Sequence, residues 1–282
     1  MKIAISGASG FIGKRLTDKF NELGFTVFSL SRFDFDKGEE ILIQKIKDCD
    51  IIINLAGAPI AKRWTKAYKK VLYDSRILTT RILVDAINKS NAKPKLLMSA
   101  SAIGIYDSQN KHDEISQNFS DNFLATICKD WEAEAMKAQI NTVILRFSVV
   151  LDKKDGAFPK MYLPFKYGCG GKIGSGKQWF SWIYIDDLVN AIIHIINNEQ
   201  RHTVYNLSAP KSLTNKEFAE VLSAKINKHA FFNVPEFVFK ILYGEGSIVI
   251  TEGQNVVPQR LLDEGFVFEY ETIEKTIEPL TK

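Results

Sequence analysis

Apolar and polar positions along the chain alternate between two rhythms. Ile3-Ala4-Ile5 is a short apolar run that breaks at Gly7, after which Ile12, Leu16, Phe20 and Leu23 recur at helical spacing. Phe25–Leu30, rich in aromatic and β-branched residues, reads as a second strand. Glu39–Lys47 suits a short crossover helix, and Asp50–Leu55 a third strand, apolar enough to be covered on both faces. A long helical stretch over Lys62–Lys89, apolar at Val71, Leu72, Leu78, Ile82 and Leu83, leads to a fourth strand at Lys95–Ser99. A helix over Asp121–Ala138 leads to a fifth strand at Thr142–Phe147. This βα alternation predicts an α/β fold with a doubly wound parallel sheet and right-handed crossovers.

Beyond Val150 the pattern changes. Asp152–Gly176 is rich in Gly, Pro, Lys and aromatics and reads as loop and short helix. Trp182–Ile185 and Val204–Leu207 read as strands around a helix at Asp186–Asn197, the last strand returning to the sheet. Thr214–Lys228 is a helix with Thr214 as N-cap and Glu217 completing a capping box. The tail, Pro235–Lys282, holds one helix and weaker elements. The expected organisation is a nucleotide-binding domain over 1–150, with 180–208 returning to it. A smaller interleaved α/β lobe over 151–282 would close a cleft at the carboxyl ends of the strands.

The turn between the first strand and helix carries glycines at 7, 10 and 13. This spacing serves a tight turn, close backbone approach to a pyrophosphate, and close helix–strand packing, with the positive helix end facing the phosphates. It points to a Rossmann-type dinucleotide site formed by Gly7, Ser9, Gly10, Phe11, Ile12 and Gly13. Where an NAD-type site carries an acid at the end of the second strand, this chain has Ser31-Arg32. A guanidinium suits a 2′-phosphate, so NADP(H) is preferred. Asp34 and Asp36 lie just beyond and leave NAD(H) open. Leu55, Ala56 and Gly57 end the third strand with small residues close to the cofactor, and Arg63, within Lys62-Arg63-Trp64, either answers a phosphate or is a solvated helix start.

Composition narrows the classes. Of 282 residues 45% are hydrophobic and 25% charged, and the net charge is only +4 without a dense basic block, so nucleic acid is not implied. Cys49, Cys128 and Cys169 are scattered without ligand spacing, as expected of reduced thiols in a cytoplasmic protein. No signal peptide or membrane span is visible. His112, His194, His202 and His229 form no metal or triad pattern.

The blocks GASGFIG, LSR, NLAGAPI, RWT…SR, SASAIGIY, CKDWE, GGKIGSGKQWFSWIYIDDL and GQNVVPQRLL resemble, from Met1 to about Phe268, one subgroup of the extended short-chain dehydrogenase/reductases. It is the atypical epimerase-like subgroup of the NAD-dependent epimerase/dehydratase family, with its own C-terminal domain of unknown function. Some members carry a cell-division-inhibitor label. The resemblance implies an extended Rossmann domain, NADP(H) binding and a small C-terminal substrate lobe, and it leaves room for a homodimer. The superfamily's chemistry uses a Ser or Thr with a Tyr-x-x-x-Lys pair one helical turn apart, the Lys lowering the Tyr pKa and holding the ribose. Anchored on CKDWE, the two positions fall on Leu124 and Cys128, and Lys129 points about 100° away. The literal match Tyr162–Lys166 contains Pro164, which a helix interior does not tolerate, and reads as chance.

The polar residues left near the expected cleft are Ser101 and Tyr106, the first to position a substrate oxygen and the second to replace the lost acid. Arg146, inside an apolar strand, needs a partner and reads as half of a structural ion pair. Gly171–Lys177 fits the first seven positions of a P-loop, but Gln178 stands where Ser or Thr would hold magnesium and no buried strand precedes it. It reads instead as a glycine loop over the cleft, with Lys177, Gln178 and Trp179 available to a small-molecule substrate. Two functions fit. One is an NADP(H)-dependent reductase, epimerase or dehydrogenase with a non-standard acid; the other is a non-catalytic NADP(H)-binding redox sensor or partner-binding regulator.

Overall fold

The computed structural model describes residues 1–228 and 232–282. Six parallel strands make the central sheet: β1 (Lys2–Ser6), β2 (Thr26–Leu30), β3 (Ile51–Asn54), β4 (Leu96–Ala102), β6 (Asn141–Phe147) and β11 (Val204–Leu207). Between β4 and β6 lies the two-residue β5 (Lys111–His112). The spatial order is β11-β6-β4-β3-β1-β2, so the sheet is a doubly wound α/β sheet that reverses between β1 and β3. Such a reversal opens a crevice at the carboxyl ends of the two strands.

Period-two alternation assigns the two faces. Ile3, Ile5, Ile51, Ile53, Leu96 and Met98 face α1 (Phe11–Glu22) and α7 (Ile185–Asn197), through Leu16, Phe20, Leu188 and Ile192. Ala4, Ile52 and Leu97 face α3 (Glu39–Ile46) and α4 (Lys66–Lys89), through Leu42, Ile46, Leu83 and Ile87. Both faces are covered, which is why β3 is apolar at every position but its last. A single-turn helix, α2 (Arg32–Asp36), precedes α3, and α5 (Phe123–Ala135) packs beside α4. Thr65 caps α4 through the Tyr68 amide (3.1 Å) and Asn122 caps α5 through the Ala125 amide (2.9 Å).

The second half is built from short pieces. β7 (Val149–Leu151) pairs with β10 (Trp182–Tyr184) rather than with the main sheet. Between them come α6 (Phe158–Lys166), β8 (Gly171–Ile173) and β9 (Trp179–Phe180). β12 (Leu213–Thr214) lies against β9, and α8 (Asn215–Lys225) opens with the Thr214–Glu217 capping box read from sequence. The tail holds more than the one helix expected. β13 (Phe232–Val234) precedes it, and it comprises α9 (Glu236–Tyr243), α10 (Ile248–Thr251), β14 (Asn255–Val256), α11 (Gln259–Asp263) and α12 (Ile273–Thr281). Pro164 also lies inside α6, contrary to the sequence reading. In the last turn of a nine-residue helix it forfeits a single backbone bond.

Candidate functional site

The β1–α1 turn gives its glycines three separate jobs. Gly7 has φ +75°, and an added Cβ would stand 3.1 Å from the Leu55 carbonyl carbon. A Cβ at Gly13 would overlap the Gly7 carbonyl oxygen and stand 2.7 Å from the Ala8 Cα, so this glycine lets α1 close against the turn. Gly10 is exposed, and an added Cβ there would meet only the Gly7 oxygen, at 3.1 Å. Gly10 is the N-cap of α1 and offers no side-chain acceptor, so the first amides of the helix remain open donors at its positive end. Phe11 and Ile12 are partly buried and Ser9 is exposed beside them.

A buried polar chain fixes the neighbouring strand end. Ser6 Oγ donates to Asn54 Oδ1 (2.6 Å), and Asn54 Nδ2 donates to Thr80 Oγ1 (2.8 Å) and Ser99 Oγ (3.3 Å). Trp131 Nε1 also donates to Thr80 (2.9 Å), and Ser6 Oγ receives the amides of Leu55 and Ala56. Every buried polar atom here has a partner, which makes Leu55–Gly57 a rigid wall beside the glycine turn.

At the end of β2, Ser31 caps α2. The Asp34 carboxylate accepts the Ser31 amide and hydroxyl, both at 2.7 Å, and pairs with Lys45 at 2.8 Å. Burial works against the charge of Asp34, but Lys45 and Ser31 outweigh it and hold the carboxyl below its usual range. Asp34 is thus committed within the protein rather than free for a ribose. Arg32 is exposed and has no ion-pair partner among the described residues.

At the end of β4, Ser101 Oγ donates to Glu132 Oε1 at 2.6 Å. Glu132 also receives two bonds from Arg146, at 2.8 and 2.7 Å, so the ion pair expected for Arg146 exists and its partner lies on α5. Burial opposes the charge of Arg146, but the bonds and charge of Glu132 hold the guanidinium well above its usual range. Tyr106, expected as a replacement acid, is fully buried. Its hydroxyl receives Arg146 Nη1 (2.7 Å), contacts Asn206 Oδ1 and the Asp113 carbonyl (both 3.0 Å), and its ring stacks on His112 at 4.6 Å. Burial pushes the phenol up despite the pull of Arg146. Tyr106 therefore braces the core, with its hydroxyl held by Arg146, Asn206 and the Asp113 carbonyl.

The two positions anchored on CKDWE are packed into the protein. Leu124 lies against Gly104, where an added Cβ would stand 2.8 Å from Leu124 Cγ. Cys128 is buried, and desolvation pushes its thiol up to about 12. Lys129 turns outward and donates to the Ser120 carbonyl. The Tyr162–Lys166 match lies on α6, with Tyr162 stacked on Phe158 at 5.5 Å and Lys166 exposed.

The lobe residues serve structure more than expected. α4 begins at Lys66, so Arg63 precedes the helix, and its guanidinium donates to the Ile241 carbonyl. The adjacent Trp64 is buried against Gly246 and donates its amide to the Tyr243 carbonyl (2.9 Å). Gln178 folds back onto the Ile173 carbonyl (3.1 Å), and the backbone of Trp179 lies against Gly253. Lys177 alone of the three is exposed. His194 and His202 lie by Glu264 at the opposite, amino-terminal edge of the sheet, and His229 lies outside the described residues. No helix among the described residues is long and apolar enough to cross a membrane.

A switch-point crevice, a glycine turn under an uncapped helix and a rigid strand end beside it define a Rossmann-type nucleotide-binding protein. The chain belongs to the NAD dependent epimerase/dehydratase family, whose model matches residues 3–208, and a domain of unknown function, DUF1731, matches 234–280. It is 36% identical to the epimerase family protein SDR39U1 homolog, chloroplastic, of Arabidopsis thaliana, over 98% of this chain and 86% of that one. An epimerase family protein of Staphylococcus saprophyticus is 34% identical over 98% of both chains. The crystal structure of human epimerase family protein SDR39U1 with NADPH superposes with a TM-score of 0.88 at 30% identity, covering 99% of each chain.

The sequence reading missed Glu132, Arg76 and the Ser6–Asn54–Thr80 chain. Glu132 was within reach, because it stands four residues after Cys128 and so on the same helix face. Arg76 lay in the quoted RWT…SR block without a role assigned to it.

Proposed function

We propose that this chain binds NADP(H), preferred over NAD(H), in the β1–β3 crevice and acts on a carbonyl or hydroxyl small molecule. The reading rests above all on the glycine turn, whose open Gly10 and uncapped α1 form a cradle that a Cβ would fill. Exposed Arg32 at the end of β2, beside an Asp34 committed to Ser31 and Lys45, supports a 2′-phosphate over a free 2′-hydroxyl. The likeness to a human relative crystallised with NADPH agrees with it. When bound, the nicotinamide supplies or accepts hydride. The chain's residues hold the phosphates through the first amides of α1, hold the 2′-phosphate through Arg32, and wall the cofactor with Leu55–Gly57. Ser101, tied to Glu132 and only 2% exposed, would have to be uncovered to reach a substrate oxygen at the end of β4, and Lys177 is the exposed side chain of the glycine loop.

A second reading is a non-catalytic NADP(H) sensor. One observation favours it: Leu124 and Cys128 are packed into the protein and Tyr106 is fully buried, so none of the three is free to exchange a proton with substrate. Turnover separates the two. Consumption of bound NADPH by carbonyl compounds supports the enzyme, and selective binding without turnover across a broad panel supports the sensor. Arg32→Asp tests the shared premise. NADPH binding should fall about tenfold or more while NADH binding changes little, and an equal loss for both refutes the 2′-phosphate assignment.

A further inference from the structure

Arg76 is a cation without a counter-charge among the described residues. It stands on α4, partly buried, with Nη1 donating to the Leu72 carbonyl and Nη2 to the Ala58 carbonyl, both at 3.1 Å. The guanidinium lies 5.3 Å from the Trp131 ring centre, and an added Cβ on Gly57 would stand 3.1 Å from its Cζ. No carboxylate pairs with it among the described residues, whereas Arg146 has Glu132. Desolvation pulls Arg76 below the usual arginine range, and Trp131, whose ring it lies over, stands on α5 three residues after Cys128. A partly buried cation with two carbonyls and an aromatic face for company still has donors that a ligand can complete.

Its position says which ligand. Gly57 and Ala58 continue the wall beside the glycine turn, and Cys128 stands where the family pattern places the ribose-holding lysine. A helix neighbouring α5 thus brings a cation up to the vacated position. We propose that Arg76 substitutes for that lysine from α4, donating to the ribose hydroxyls on the nicotinamide half of bound NADP(H). This inference rests on the NADP(H) reading above. A guanidinium keeps its proton at neutral pH, so Arg76 holds the cofactor and does not serve as the acid. A fixed positive charge there also disfavours the cationic oxidised nicotinamide against the neutral reduced ring, giving a preference for NADPH over NADP⁺.

The test is titration of the full chain and of Arg76→Met and Arg76→Lys with NADPH, NADP⁺ and 2′,5′-ADP, which lacks the nicotinamide riboside. Methionine keeps an unbranched stem and removes the charge. The expected result for Arg76→Met is NADPH affinity down about tenfold, a narrowed NADPH:NADP⁺ preference and unchanged 2′,5′-ADP affinity, with Arg76→Lys recovering part of each loss. Equal losses of NADPH and 2′,5′-ADP would make Arg76 a structural residue, and unchanged NADPH binding would remove it from the site; either overturns the proposal. If the unaltered chain binds neither nucleotide, the cofactor reading itself fails and this inference falls with it.

Discussion

Replacing Glu132 by leucine tests the claim that Ser101 and Tyr106 belong to one buried network. Glu132 accepts two bonds from Arg146 and one from Ser101, and the paired side chains are only 6% and 14% exposed. Removing the carboxylate leaves a charged guanidinium in the core with the Tyr106 hydroxyl as its remaining partner. Breaking a buried pair from one side costs about 3–5 kcal/mol, a large share of the roughly 5–15 kcal/mol that a domain has in total. Removing both charges, in Glu132→Leu with Arg146→Met, leaves no orphan charge and should recover most of that loss. Urea unfolding followed by tryptophan fluorescence measures it, with equal m-values as the condition for comparison. A Glu132→Leu cost below about 1 kcal/mol, or a double variant as unstable as the sum of the singles, would refute the network.

Two further outcomes follow from the same geometry. Gly10→Val should abolish binding of either nucleotide while thermal stability stays within a few degrees, since an added Cβ meets only one protein atom. Normal NADPH binding by that variant would remove the turn as the phosphate site. Burial pushes the thiols of Cys49 and Cys128 up to about 11 and about 12, whereas Cys169 is exposed. A disulfide reagent at pH 8 should therefore titrate one thiol quickly in the native protein and the other two only on unfolding. Fast reaction of all three would contradict the burial.

Much of the architecture was legible because it is written in local pattern. The strands of the first half, the β1–α1 glycine turn and the Thr214–Glu217 capping box each follow from a few adjacent residues. The tail was not, because its short pieces are held by partners distant in sequence, as Gly253 is by Trp179 and Trp64 by Gly246. The same reason separates the two kinds of site residue. Gly7, Gly10 and Gly13 act through backbone conformation, which local sequence reveals. Whether Tyr106 faces a cleft or the core depends on Arg146 and Asn206, forty and one hundred residues away. Gln178 likewise looked available until its amide was seen to close its own loop.

The most direct measurement is a fluorescence titration of the purified chain with NADPH and with NADH. The account predicts saturable binding of NADPH and binding of NADH weaker by about tenfold or more, the worth of a charge-assisted contact to the 2′-phosphate. Equal affinity for the two would contradict the role of Arg32, and binding of neither would contradict the central claim that the β1–β3 crevice holds a dinucleotide.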